Sequence, residues 1–425
     1  MIRGVLSRGL GSMFKNLDIN LFRLVWGQGA VTFSAGILGI ALPLLAALTL
    51  HATPTQMGLL ATAQTLPWLL VALFAGVWID QNSPKQILVV SNYARSILLL
   101  SIPVALWLGW LSIAWLLVAS LLLGVFQVFF ELSVNAFVPN AVKREQLITA
   151  NSQIESSRMI ARVGGPGFGG VLVQAITAPL TILLNGILYF VAAIIMQGIP
   201  SDTPAQVERR AAKRPIWSEM SQGLRVVLQD PYLRPLVFSS ANYNLHMGIL
   251  LALEVLFLTR ELSVPPAWVG IIFGVQSAGG LLGAVLASKI TGWLGLGRTA
   301  IATMFLAALA AFVAPMVYAP PLVAAALISA ASFIGAAAIV VRNVSVVSLR
   351  QARTPNQMQG RVVATSRFIG FGLGSLGGIL GGLLAQWLGL RYGLLISAVI
   401  ASLSFLWLYF SPIRSITVLP GQPEV

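Results

Sequence analysis

The chain has 425 residues, 57% hydrophobic and only 9% charged, with a formal net charge of +14 and a mean hydropathy of +0.88. A soluble domain carries about 25% charged residues, so this chain lacks the polar surface needed to cover itself in water. It has no cysteine, which excludes disulfides, thiolate metal sites and cysteine nucleophiles.

Residues 1–20 read as an N-terminal cytoplasmic segment. Its opening, MIRGVLSRGLGS, carries Arg3 and Arg8 but leads to no small-residue cleavage site, so a removable signal is not expected. Met13 reads as an ordinary start and residues 1–12 as a dispensable extension. Apolar blocks long enough to cross ~30 Å of hydrocarbon follow at 21–50, 56–80, 86–108, 111–138, 148–177, 180–199, 233–262, 266–293, 298–318, 320–349, 360–389 and 391–411. They predict an all-α membrane protein of twelve transmembrane helices. Six lie in a bundle over 21–199 and six in a bundle over 233–411; a linker (200–232) joins them and a cytoplasmic tail (412–425) follows.

The basic residues set the orientation. With the N-terminus inside, Lys15, Arg23, Lys85, Lys143, Arg144, Arg209, Arg210, Lys213, Arg214, Lys289, Arg298, Arg350, Arg353 and Arg414 fall in inner segments. The outer turns hold His51, Arg260 with Glu261, and Arg391, while GWLS (109–112), TAP (177–179) and YAPP (318–321) are uncharged. The expectation is a multi-pass protein of the inner (plasma) membrane with both termini cytoplasmic. Its positive charge then marks topology and anionic headgroups and not nucleic acid. The polar interval 201–230 starts as a Pro- and charge-rich linker. It continues as an amphipathic helix over Trp217–Gln229, with Trp217, Met220, Leu224, Val227 and Leu228 at helical spacing.

The two halves repeat. PTQMGLL (54–60) matches PAWVGII (266–272) at an offset of 212, which also sets Gln64 on Gln276 and GIL (36–38) on GIL (248–250). SRMI (157–160) matches SRFI (366–369) at an offset of 209, and Asn135 corresponds to Asn343. Two six-helix halves of parallel repeat joined by a basic loop resemble the major facilitator superfamily. That resemblance implies a substrate held between the halves near mid-membrane and access alternated by rocking.

Two motifs carry the resemblance further. GVWIDQNSPK (76–85) is similar to the superfamily's loop signature between helices 2 and 3, matching at Gly76, Asp80 and Lys85 and departing at Gln81, Ser83 and Pro84. It implies that Asp80 clamps the inner gate against the N-terminus of another helix; the alternative is an ordinary solvated loop acid. GPGFGG, with Gly165, Pro166, Gly169 and Gly170, resembles the G-P-x-x-G-G core of antiporter-type fifth helices. In lipid such glycines allow close helix approach and a proline-freed carbonyl finds other partners. The expectation is a tight contact with the facing helix of the other half and a bias toward export; simple close packing is the alternative.

Ionisable residues inside a membrane are costly and are functional or paired. Glu254 in the seventh span, about 30 Å from its inner end at ~1.5 Å per residue, is the leading proton-coupling candidate, and Glu131, near the inner end of the fourth span, is the second. A pair with Arg260, or an acid at the mouth of the lumen, is the other reading of Glu254. Arg95, Glu131, Glu155, Arg158 and Arg162 suggest a buried ion-pair cluster in the first half, and Arg342 and Arg367 a matching support in the second. Arg162 is the deepest, faces Phe371 in the repeat, and is a candidate for an anionic substrate group. Gln28, Thr32, Gln64, Trp68, Asn242, His246 and Gln276 are candidate cavity contacts.

No phosphate loop G-x-x-x-x-G-K-[S/T] and no His/Asp/Glu metal cluster occurs, so no cofactor, metal or enzymatic activity is expected and an ion gradient supplies the energy. Over residues 14–412, LFRLVWGQGAVTFSAGI (21–37) and VKREQLITANS (142–152) resemble the macrolide-efflux and enterobactin-exporter-like branch. The resemblance implies a monomeric proton-driven exporter of an amphipathic small molecule such as a drug, siderophore or other metabolite. Lipid or lysophospholipid transport, nutrient uptake, and a non-transporting sensor of the same fold are the alternatives.

Overall fold

The computed structural model describes residues 19–141, 147–199, 216–355 and 358–416, and the described residues form helices and turns with no strand. With no water to satisfy N–H and C=O groups, apolar segments close their backbone hydrogen bonds internally, as helices. The first half contains α1 (Ile19–Leu44), α2 (Pro54–Leu70), α3 (Ala72–Gln81), α4 (Pro84–Trp107), α5 (Ile113–Ala141), α6 (Leu147–Ile176) and α7 (Ala178–Gln197). The amphipathic α8 (Ile216–Gln229) follows, as the spacing predicts. The second half contains α9 (Leu233–Leu256), α10 (Pro266–Leu294), α11 (Leu296–Met316), α12 (Pro321–Arg353), α13 (Gln359–Leu388) and α14 (Leu390–Tyr409). Residues 1–18, 142–146, 200–215, 356–357 and 417–425, which include the expected N-terminal extension and Lys143, Arg144, Arg209, Arg210, Lys213 and Arg214, lie outside the described residues.

Eleven of these helices are long and apolar enough to cross a membrane. The expected second span is divided into α2 and α3 at Val71. Pro67 inside α2 has no N–H to donate, and the chain turns one helical turn later. Val71 N bonds to Pro67 O at 2.8 Å and Ala75 N to Val71 O at 2.8 Å, so the two pieces continue as one crossing. Local sequence fixes its start: Thr53 and Gln56 form a reciprocal capping box ahead of Pro54.

The repeat is written into the packing at a single offset of 212. Each half's first helix ends in a π-turn, Leu45–Thr49 and Phe257–Glu261. Positive φ recurs at His51 and Ser263, and again at Thr177 and Gly389. A Cβ at Gly165 would sit 2.9 Å from Phe33 O and 3.0 Å from Gly36 Cα; one at Gly377 would meet Leu245 O and lie 3.1 Å from Gly248 Cα. Gly169 lies against Ile37 as Gly381 lies against Ile249. So GPGFGG has a structural twin, GGILGG (377–382), and the equivalence along α6 and α13 runs at 212. The 209 register suggested by SRMI and SRFI is not the one the contacts follow. Arg162 is therefore equivalent to Gly374, not Phe371, and Arg367 to Glu155, not Arg158.

Candidate functional site: the seam between the halves

The face of the molecule bearing Lys85, α8 and Arg414 is called the basic face. Two seams join the halves at the opposite ends of the helices, α6 against α10 and α2 against α13. At the first, a Cβ on Gly170 would lie 2.5 Å from Pro266 O and 2.7 Å from Gly270 Cα. At the second, a Cβ on Gly382 would lie 2.8 Å from Pro54 O and 3.1 Å from Gly58 Cα. Backbones this close leave no room for any side chain, which is why glycine stands at both places.

The GPGFGG motif thus has two faces, and one expectation needs correction. Gly165 and Gly169 pack on α1 of their own half; Gly170 and the carbonyl of Pro166 meet Gly270 of the other half. Their spacing around the helix divides them between two neighbours, so only part of the motif forms the contact between halves.

Hydrogen bonds add to the seams. Thr62 Oγ1 donates to Ser375 O at 2.9 Å, Thr65 Oγ1 and Ser375 Oγ are 3.1 Å apart, and Ala267 N donates to Gln174 Oε1 at 3.0 Å. Arg260 Nη2 reaches across to Ala47 O at 3.1 Å, within the π-turn of α1. The α2–α13 seam extends further toward the basic face, where Trp68 stacks on Phe371 with ring centroids 5.7 Å apart. Arg162, one turn before Pro166 on the seam-facing stripe of α6, is exposed, as are Arg367 and Phe371 on α13.

Within this frame the predicted residues separate. Glu254 is buried, 6% exposed, and has no hydrogen bond or ion pair among the described residues. It does not pair with Arg260, which serves Ala47, while Glu261 bridges Arg391 at 2.7 Å. Gln28 is 1% exposed, with Oε1 3.5 Å from Arg158 Nη2, and Thr32 Oγ1 donates to Gln28 O. Gln64, Asn242 and Gln276 are half-buried. His246 is not a cavity group: it is 4% exposed and its Nδ1 lies 2.7 Å from Ser397 Oγ on α14. Of the loop motif, Gly76 lies on α3, where a Cβ would meet open space, and Lys85 sits half-buried in the first turn of α4. The Asp80 side chain lies outside the described residues.

The expected ion-pair cluster does not assemble. Arg95 turns into the bundle of its own half, donating to Tyr189 Oη at 2.5 Å and to Asn92 Oδ1 at 3.5 Å, 4.1 Å above the Tyr189 ring. Glu131 accepts from Gln127 Nε2 at 2.6 Å, one turn earlier in α5. Only Glu155 and Arg158 pair, at 3.8 Å and largely in the open. A ring stack and hydroxyl serve the buried cation where a carboxylate would bring a second charge to desolvate. Arg342 bonds Ser239 Oγ and Ser240 Oγ at 3.0 Å each and has no ion pair among the described residues. Arg367, by contrast, opens into a cavity of about 180 Å³ between α9, α12 and α13. Sequence reading missed Gly58, Gly270, Gly378 and Gly382; continuing the 212 offset from Gly58 to GGILGG would have found them.

This geometry, two repeated bundles joined through glycine seams near one end, has counterparts. The chain is 25% identical over 360 residues to an uncharacterized MFS-type transporter, YfiS of Bacillus subtilis (strain 168), covering 84% of each chain. It is 24% identical over 365 residues to the multidrug efflux pump Tap of Mycolicibacterium fortuitum, covering 84% of this chain and 87% of that one. Among solved structures, the nucleoside transporter NupG superposes with a TM-score of 0.77 at 12% identity, over 93% of this chain and 100% of that one. A bacterial homologue of the iron transporter ferroportin, in its inward-facing state, gives 0.73 at 16% identity, over 94% of this chain and 100% of that one. The family profile described as Major Facilitator Superfamily matches residues 24–378, and the chain belongs to that superfamily of membrane transporters.

Proposed function

We propose that this transporter exports an amphipathic small molecule across the inner membrane by alternating access, in exchange for protons. The observation that carries the reading is Glu254: a carboxyl buried about 30 Å from the basic face, with no cation beside it. Without a counter-charge in a low-dielectric setting, it is neutral only with a proton bound. Exchange of that proton with water is then tied to whether the glycine seams are open. The close glycine seams at one end and the exposure of Arg162 and Arg367 toward the basic face support a cycle in which substrate enters from the cytoplasmic side. The multidrug efflux pump among the relatives and the antiporter-type motif at Gly165, Pro166, Gly169 and Gly170 support the outward direction.

On this reading Gln28, Thr32, Gln64, Trp68, Arg162, Asn242 and Gln276 contribute to the path, and Asp80 and Lys85 to the inner gate. The test uses everted membrane vesicles energised to an acidic interior and a panel of anionic, neutral and cationic fluorescent amphiphiles. Wild-type vesicles accumulate at least one probe, and collapsing the pH gradient releases it. Vesicles that move none of the panel, with or without a gradient, would favour the sensor reading; accumulation that survives collapse of the gradient would remove the proton.

A further inference from the structure

We propose that the basic end of the C-terminal half holds a binding site for the acidic head, carboxylate or phosphate, of an amphipathic anion, between Arg350 on α12 and Arg367 on α13. Both line the cavity of about 180 Å³, whose lining includes no carboxylate. Neither guanidinium makes a hydrogen bond or ion pair among the described residues, and Nε of Arg350 is a buried donor without an acceptor. The two guanidiniums lie within electrostatic reach of each other. Like charges that share a partly desolvated cavity repel, and an anion between them turns repulsion into attraction. The planar fork of each guanidinium matches a two-oxygen acid head. Ser366 lies on the same wall, and Leu236, Val346 and Phe371 provide an apolar surface for the body of the ligand.

The fold does not demand this arrangement. In the 212 register set by the glycine contacts, the position of Arg367 is held in the first half by Glu155, a group of opposite sign. Nor do the arginines have the structural task of Arg342 or Arg95, whose guanidiniums are bonded to hydroxyls inside their own bundles. Identifying the anion as the transported molecule rests on reading the cavity as the transport path; the binding itself does not.

The test is the thermal unfolding of the full-length protein in phosphatidylcholine nanodiscs, titrated with hexyl phosphate, inorganic phosphate or hexyltrimethylammonium. Hexyl phosphate is expected to raise the midpoint saturably and hexyltrimethylammonium to leave it unchanged. R350Q and R367Q each weaken the apparent affinity for hexyl phosphate about tenfold or more, as loss of a charge-assisted bond requires. S366D sets a carboxylate beside the guanidiniums; its starting midpoint rises and its response to hexyl phosphate disappears, which separates loss of the site from loss of the fold. Protection by inorganic phosphate assigns recognition to the acid head alone. A raised midpoint in phosphatidylglycerol nanodiscs that leaves no further response to hexyl phosphate assigns the site to a lipid headgroup. Equal responses to anion and cation, or an undiminished response in S366D, would overturn the proposal. A protein that binds hexyl phosphate but moves none of the vesicle panel would refute the transport reading and leave the anion site standing.

Discussion

Gly170→Ala puts a methyl group where the two halves touch. Its carbon would stand 2.5 Å from Pro266 O, 2.7 Å from Gly270 Cα and 2.8 Å from Gly270 N, all of them backbone atoms. Ordinary contacts between carbon atoms are about 3.5–4.0 Å, so α6 and α10 must separate by about 1 Å. Overpacking of this kind costs about 1–3 kcal/mol, and only in the state where the seam is closed. The gain in helix propensity from glycine to alanine, about 1 kcal/mol, applies to both states and cancels. The equilibrium therefore moves roughly 5- to 150-fold toward the form open at the glycine end. Because the chain has no cysteine, a single Ser375→Cys on α13, 3% exposed and, as serine, hydrogen-bonded across the α2–α13 seam to Thr65, reports opening by its rate of reaction with a membrane-impermeant maleimide. Gly170→Ala should speed that reaction at least fivefold. Gly167→Ala, whose Cβ would come no nearer than 3.9 Å to Gly270 O, should leave it at the starting rate. Equal rates in all three proteins would refute the steric argument.

Three further outcomes follow from the same geometry. Gly165→Leu strikes the weld of α6 on α1 within one half, against Phe33 O and Gly36 Cα, so it should lower the yield of folded protein in detergent, where Gly170→Ala should not; normal folding would show that α1 and α6 can part. Tyr189→Phe removes the acceptor that Arg95 uses at 2.5 Å, at a cost of about 1.5–3 kcal/mol; a lowered Tm with unchanged Ser375→Cys labelling is expected, and an unchanged Tm would contradict it. Glu254→Gln should end gradient-driven accumulation in everted vesicles while probe binding persists, and undiminished accumulation would take Glu254 out of the coupling.

The number of spans, the amphipathic α8 and the two-fold repeat were legible because hydropathy and turn residues act over long windows, which short errors do not disturb. The break at Val71 was not, since Pro67 interrupts a hydrogen-bond ladder without interrupting the apolar run. The candidate site was less legible for a geometric reason: a letter in a helix does not say which neighbour it faces. GPGFGG was correctly singled out for close approach, yet a shift of one position, from Gly169 to Gly170, exchanges a contact within one half for a contact between halves. The charged residues of the first half suggested mutual pairing, but Arg95 and Glu131 each found a neutral partner closer by. SRMI and SRFI are four-residue matches, too short to fix register against the run of backbone contacts that sets it at 212.

Rocking of two rigid halves, which opens the glycine seams as the basic ends close, is read directly in distances between paired spin labels. One pair, Ser112→Cys with Tyr318→Cys, spans the ends beside the glycine seams; the other, Asn82→Cys with Gly292→Cys, spans the basic face. The account predicts that Gly170→Ala populates a second state in which the first distance lengthens as the second shortens, in equal proportion. A change in one distance without the other would contradict it.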